Sequence, residues 1–121
     1  MRVGYVVLYV NDVEACAQFW TKQVGMVERE RNQFAEHCVV RVGFSDQNFS
    51  IELVPLAMMK ENPDGLDLAT PSICFYSDDL VAEHKKLSDN AVSVTEIGEH
   101  FGMTTFAFID NEGRGFAVAK A

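Results

Sequence analysis

A chain of 121 residues, 48% of them apolar, is long enough to bury a core without disulfide or metal staples. Its formal net charge of −8 and pI near 4.7 exclude nucleic acid as a partner, because phosphate recognition draws on clustered Lys and Arg and none are clustered here. No run approaches membrane-spanning length, and Met1-Arg2 leads straight into a strand-like segment, so a soluble cytoplasmic protein without a membrane partner is expected.

The elements follow in order. Val3 to Val10 is a run of strand formers that stops at Asn11-Asp12, where Asn11 can cap a helix and Glu14 can reach back as a capping box. Val13, Cys16, Ala17, Trp20 and Val24 then recur at helical spacing and mark one core-facing stripe, and Gly25 is placed to end the helix in a left-handed turn. Met26 to Arg31, His37 to Phe44 and Phe49 to Val54 read as three strands, with 32–36 as a loop and Ser45 to Asn48 as a polar turn. This is a βαβββ unit, residues 1–55.

A connecting segment, residues 56–70, carries the turn signal Asn62-Pro63-Asp64-Gly65 and the apolar side chains Met58, Met59, Leu66 and Leu68. The pattern then restarts over 71–121. Ser72 to Ser77 is a strand, Asp78-Asp79 supplies a cap, and Leu80, Val81, His84 and Leu87 mark a second helix stripe. Val92 to Ile97, Thr104 to Ile109 and Gly115 to Lys120 are strands, with Gly98 to Gly102 a glycine-flanked loop and Asn111-Glu112-Gly113 a turn. Sliding this half back by 67 residues lays Tyr76 on Tyr9, Asp79 on Asp12, Ala82 on Ala15 and Leu87 on Trp20, so the chain repeats itself. One such sheet with a single helix on its back leaves its other face bare, and a second copy can close a cavity over it.

The segment from Tyr5 through Asn11-Asp12 to Phe19-Trp20, followed by Val24-Gly25-Met26, resembles the opening of vicinal oxygen chelate proteins. That family comprises glyoxalases, bleomycin-resistance proteins and extradiol dioxygenases. Phe106-Ala-Phe-Ile-Asp-Asn-Glu-Gly113 is similar to its late Phe-x-Phe-x-Asp-Pro-Asp-Gly turn, with Asn111 in place of proline, and Ile51-Glu52-Leu53 matches the strand between them. The resemblance implies a single α+β domain in which two βαβββ half-repeats form curved mixed sheets around a cavity, with helices on the outer faces. It also implies four inward-facing metal positions, which fall here on Tyr5, Glu52, Ser72 and Ala117. Only Glu52 is an ordinary ligand, so neither a metal nor another cofactor is expected.

Period-2 alternation turns Tyr5, Val7 and Tyr9 to one face of the first strand and Ser50, Glu52 and Val54 to the same face of another. If the 45–48 turn pairs Phe44 with Phe49, Arg41 lies opposite Glu52, where it either forms a cross-strand ion pair or reads a ligand. The expected ligand-binding residues are Tyr5, Tyr9, Arg41, Glu52, Cys74 and Tyr76. Tyrosine faces can hold a cation or a flat ring, and the acidic balance matches the bleomycin-resistance branch, so a metal-independent protein that sequesters a cationic or aromatic small molecule is expected. The alternative is a lyase, isomerase or dioxygenase of the same superfamily, with Glu52 acting as acid/base or joined by His37 or His100 on a metal. His84 reads as a partly buried packing residue, and the three cysteines, Cys16, Cys38 and Cys74, as small core residues. The apolar residues of the connecting segment suggest a homodimer.

Overall fold

In the computed structural model, which describes all 121 residues, the strand formers after Tyr5 make β1 (Val6–Val10), with Leu8 and Val10 fully buried on one face. The helix α1 (Val13–Gln18) follows at once, and its N-cap is Asp12, whose carboxylate accepts the Ala15 N–H at 3.0 Å. This corrects the expected Asn11 cap. The helix starts one residue later, so Asn11 is outside it, and Glu14 turns to Arg31 on the neighbouring strand.

The expected stripe is buried at all five positions, but not on one continuous α-helix. After Gln18 the chain widens into a π-helical turn, Phe19–Val24. The wider turn lets Phe19 join Trp20 in the core, edge to face at 5.4 Å, and the Thr21 hydroxyl donates to the Ala17 carbonyl at 2.7 Å. Gly25 ends it at φ 101°, a conformation that a Cβ would strain.

Three strands complete the first sheet: β2 (Val27–Phe34), β3 (His37–Gly43) and β4 (Ile51–Pro55). The order is β1-β4-β3-β2, with β1 and β4 parallel and the other pairs antiparallel. The loop expected over 32–36 is instead the end of a tight hairpin. Phe34 pairs with His37, and Ala35 takes φ 53° to make the turn. Ala and Glu are poor turn residues, so the sequence carries no signal for it. A 3₁₀ turn, Leu56–Met59, follows β4, and the Asn62 side chain then bonds both the N–H and the carbonyl of Leu66 to hold the expected turn around Gly65. The segment groups with the first of two compact units, Met1–Pro71 and Ser72–Ala121.

The second unit repeats the plan. β5 (Cys74–Ser77) leads to α2 (Leu80–Asp89), capped by Asp79 on the Ala82 N–H at 3.0 Å, the same bond at the same distance as in α1. Leu80 and Leu87 are buried, but Val81 is 71% exposed, because one step round the helix from Leu80 points it away from the stripe. The strand expected over Val92 to Ile97 breaks in two. β6 (Ser93–Val94) and β7 (Gly98–His100) pair with different ends of β8 (Met103–Ile109), and between them Thr95 exchanges two bonds of 2.9 Å with Ala107, one through its side chain. The glycine-flanked loop is therefore a hairpin end, with Phe101 at φ 53° and Gly102 at φ 77°. β9 (Gly115–Lys120) lies between β8 and β5, parallel to β5. Phe75, Phe108 and Phe116 pack with ring centroids 5.5 to 6.4 Å apart. The fold is α+β, two mixed sheets of four and five strands with few helices.

Candidate functional site

In the first unit, the register between β3 and β4 sets Arg41 directly across from Glu52, as the alternation predicts. The Arg41 Nε–H donates to Glu52 Oε2 at 3.1 Å, and its Nη2 lies 3.0 Å from the same oxygen. Val6 donates its N–H to the Ser50 carbonyl, which continues the β1–β4 ladder; Val7 is opposite Glu52, and Tyr5 lies two residues before Val7. The Arg41 guanidinium carbon sits 4.1 Å from the centre of the Tyr5 ring, over its face. Tyr9 stands further along β1, paired with Val54 and half-buried.

Glu30 completes this group and was not among the expected residues. It pairs with Arg41 across β2 and β3, and its Oε2 lies 3.1 Å from Arg41 Nη1. The pairing follows from the hairpin at Ala35-Glu36, since Phe34 opposite His37 puts Glu30 opposite Arg41; a β-bulge then inserts Arg29 before the ladder resumes at Glu28. Without the hairpin signal the partner could not be read. Arg29 folds back over Gly43 and donates to the carbonyls of Phe44 and Gln47, so it serves the turn.

One guanidinium thus lies between two carboxylates and against one aromatic face. Partial burial opposes the Arg41 charge, but the hydrogen bond and charge of Glu52, with Glu30 and Tyr5 behind them, prevail and hold its pKa above the ordinary value. The group carries a net charge of −1 and keeps exposed ring surface, Tyr5 being 41% exposed.

Cys74 and Tyr76 belong to the second unit. They are on one face of β5, opposite Ala117 and Ala119 of β9, and Tyr76 is 76% exposed. Cys74 is exposed and Cys38 half-exposed beside Arg31, so only Cys16 is the core residue expected of all three. His84 is half-buried, with Nε2 2.9 Å from the Thr95 carbonyl and its ring edge-on to Phe106 at 5.0 Å, a packing role. His37 shares a face of β3 with Arg41 but lies four residues, ~13 Å, along the strand, which prevents it from joining Glu52 on one ion. His100 sits at the tip of the β7–β8 hairpin. No group of three or more His, Cys, Asp or Glu side chains that could hold a metal is gathered in the chain. At the four positions the family uses for metal, Tyr5, Ser72 and Ala117 supply poor or no donors and Glu52 is engaged by Arg41, so this donor set does not fit a divalent catalytic ion.

The two successive βαβββ units and the Phe-Ala-Phe turn point to the class: the chain belongs to the Glyoxalase/Bleomycin resistance protein/Dioxygenase superfamily, whose sequence pattern matches residues 2–118. Among particular relatives, the YetH protein of Bacillus subtilis (strain 168) is 27% identical over 121 residues, covering 98% of both chains. Among solved structures, a member of the same superfamily from Sphaerobacter thermophilus DSM 20745 superposes with a TM-score of 0.83 at 19% identity, covering 100% of this chain and 98% of that one. TnmS3, an antibiotic binding protein from Streptomyces sp. CB03234, gives a TM-score of 0.81 at 18% identity, covering 99% and 95%. At such identities these structures share the fold. No helix is long and apolar enough to cross a membrane.

Proposed function

We propose that the protein is a metal-independent small-molecule-binding protein that captures a cationic, aromatic ligand on the first unit's sheet face carrying Tyr5, Tyr9, Glu30, Arg41 and Glu52. The observation that carries this reading is the group around Arg41: a ring face and two carboxylates converge on one planar cation, the environment such a ligand needs. The excess of carboxylate disfavours anions. An antibiotic binding protein of the same fold supports capture over turnover, and the donor set at the four family positions supports independence from metal. Thermal-shift and calorimetric titration test it: cationic aromatic compounds should bind, and Tyr5→Leu and Glu52→Gln should each weaken them by about fivefold, the worth of one partly exposed cation–π or charged contact. Preference for neutral or anionic compounds, or stoichiometric Zn, Ni, Mn or Fe in untagged protein, would overturn it.

The homodimer is part of the same proposal. Leu56 and Leu66 are 36% and 52% exposed, with Met58, Met59 and Leu68 half-buried beside them, more apolar surface than a tether requires. Sedimentation equilibrium should give twice the 13.5 kDa chain mass, and a concentration-independent 13.5 kDa would end it.

A further inference from the structure

Resting on the ligand class proposed above, one question is what Arg41 itself does. Its guanidinium has the contacts that a bound planar cation would make. Its carbon lies over the Tyr5 ring, 4.1 Å from the centroid, one edge meets Glu52 at 3.0 and 3.1 Å, and the remaining nitrogen meets Glu30 at 3.1 Å. A bare cross-strand ion pair needs only the Glu52 contact; the Tyr5 ring, just before β1, and the second carboxylate, on β2, complete a cage around the cation. The backbone that carries its walls is set without the Arg41 side chain: Tyr5 follows from the β1–β4 ladder and Glu30 from the β2–β3 hairpin. The other nearby arginine, Arg29, is held by turn carbonyls and does not compete for the place. Arg41 reaches the cage from β3 on a flexible stem and is 30% exposed along its side chain, so it can swing out without moving the backbone.

We infer that Tyr5, Glu30 and Glu52 form a subsite for a planar delocalised cation, an amidinium or guanidinium group of the ligand, and that Arg41 is its tethered resident, displaced when the ligand binds. Arg41 thereby sets specificity. It pairs with both carboxylates in the free protein and excludes cations that gain less from the cage than it does. A compact or bulky ammonium cannot lie flat on the ring while bridging both carboxylates, whereas an amidinium can. The tether also lowers apparent affinity, because only molecules with Arg41 swung out are competent; if these are one in ten, its removal raises affinity about tenfold.

The test is calorimetric titration of the full chain with benzamidinium, benzyltrimethylammonium and benzoate, for the wild type, Arg41→Ala, Arg41→Lys and the double variant Arg41→Ala/Tyr5→Leu. Benzamidinium should bind Arg41→Ala about tenfold more tightly than wild type, and the gain should vanish in the double variant. Arg41→Lys, which keeps the charge and the fold should the alanine variant fail to fold, should show a smaller gain in the same direction. If wild type binds cationic aromatics but both Arg41 variants bind benzamidinium equally or more weakly, Arg41 is a fixed part of the site and this inference alone fails. If wild type and variants all prefer benzoate, the proposed ligand class fails, and the inference with it.

Discussion

Arg41 on β3 and Glu52 on β4 face each other across an antiparallel ladder, joined at 3.1 Å through Nε and Oε2, with the guanidinium over the Tyr5 ring. Because both side chains are partly buried, the pair should couple. A double-mutant cycle of Arg41→Met and Glu52→Gln, followed by urea denaturation, should give an interaction of about 1 kcal/mol. Additive single effects would mean that the contact contributes nothing to stability.

The two helix caps make a matched pair. Asp12→Ala and Asp79→Ala should each cost about 1 kcal/mol of unfolding free energy, the usual worth of a side-chain N-cap, whereas Asn11→Ala should cost little because Asn11 lies outside the helix. Equal losses at Asn11 and Asp12 would contradict the cap assignment.

Gly43 sits where no side chain fits. A Cβ there would be 2.5 Å from the Phe49 carbonyl oxygen and 2.7 Å from Arg29 Nε. Arg29 can move but the Phe49 backbone cannot, so Gly43→Ala should destabilise by about 2 kcal/mol through overpacking. Gly4→Ala, where the space is open, should be neutral by the same denaturation measurement.

Asp110 is buried at the β8–β9 turn, where Oδ1 accepts the N–H groups of Glu112 and Arg114 at 2.9 and 2.8 Å and Oδ2 meets Arg114 Nη1 at 3.2 Å. Asp110→Ala would leave a largely buried guanidinium with Glu112 as its remaining carboxylate partner and would strand two backbone donors. A loss of about 3 kcal/mol is expected, with Asp110→Asn losing less because one acceptor survives. A change below ~0.5 kcal/mol, the level of a surface substitution, would sink this account.

Glu28 shows the pH dependence of the first sheet. Its hydrogen bond to Arg31, only partly opposed by burial, lowers its pKa below the ordinary carboxylate value. A carboxyl lowered on folding contributes stability that is complete above its unfolded pKa, about 4.3, and is lost as pH falls through the folded value. Arg31→Ala should move the Glu28 NMR titration midpoint back up toward the unfolded value; an unmoved midpoint would show that Arg31 is not the cause.

Most strands, the first helix stripe and the pairing of Arg41 with Glu52 were legible in the sequence because each rests on local periodicity: alternation fixes which face a side chain takes, and the polar turn at 45–48 fixes the register. The repeat showed for the same reason, with Asp12 and Asp79 performing one capping task 67 residues apart. Other features lay outside any local pattern. The π-turn that buries Phe19 beside Trp20 answers to packing of the whole helix on the sheet. Glu30 enters the Arg41 group only through a hairpin whose turn residues, Ala35 and Glu36, carry no turn signal, and the bulge beyond it sets Arg29 aside from the ladder. The break of the 92–97 strand depends on Thr95 bonding Ala107, a residue twelve positions away. Periodicity determines which way a side chain points; which partner meets it from another strand depends on turns and bulges, and these follow from tertiary packing where the sequence offers no glycine or asparagine to mark them.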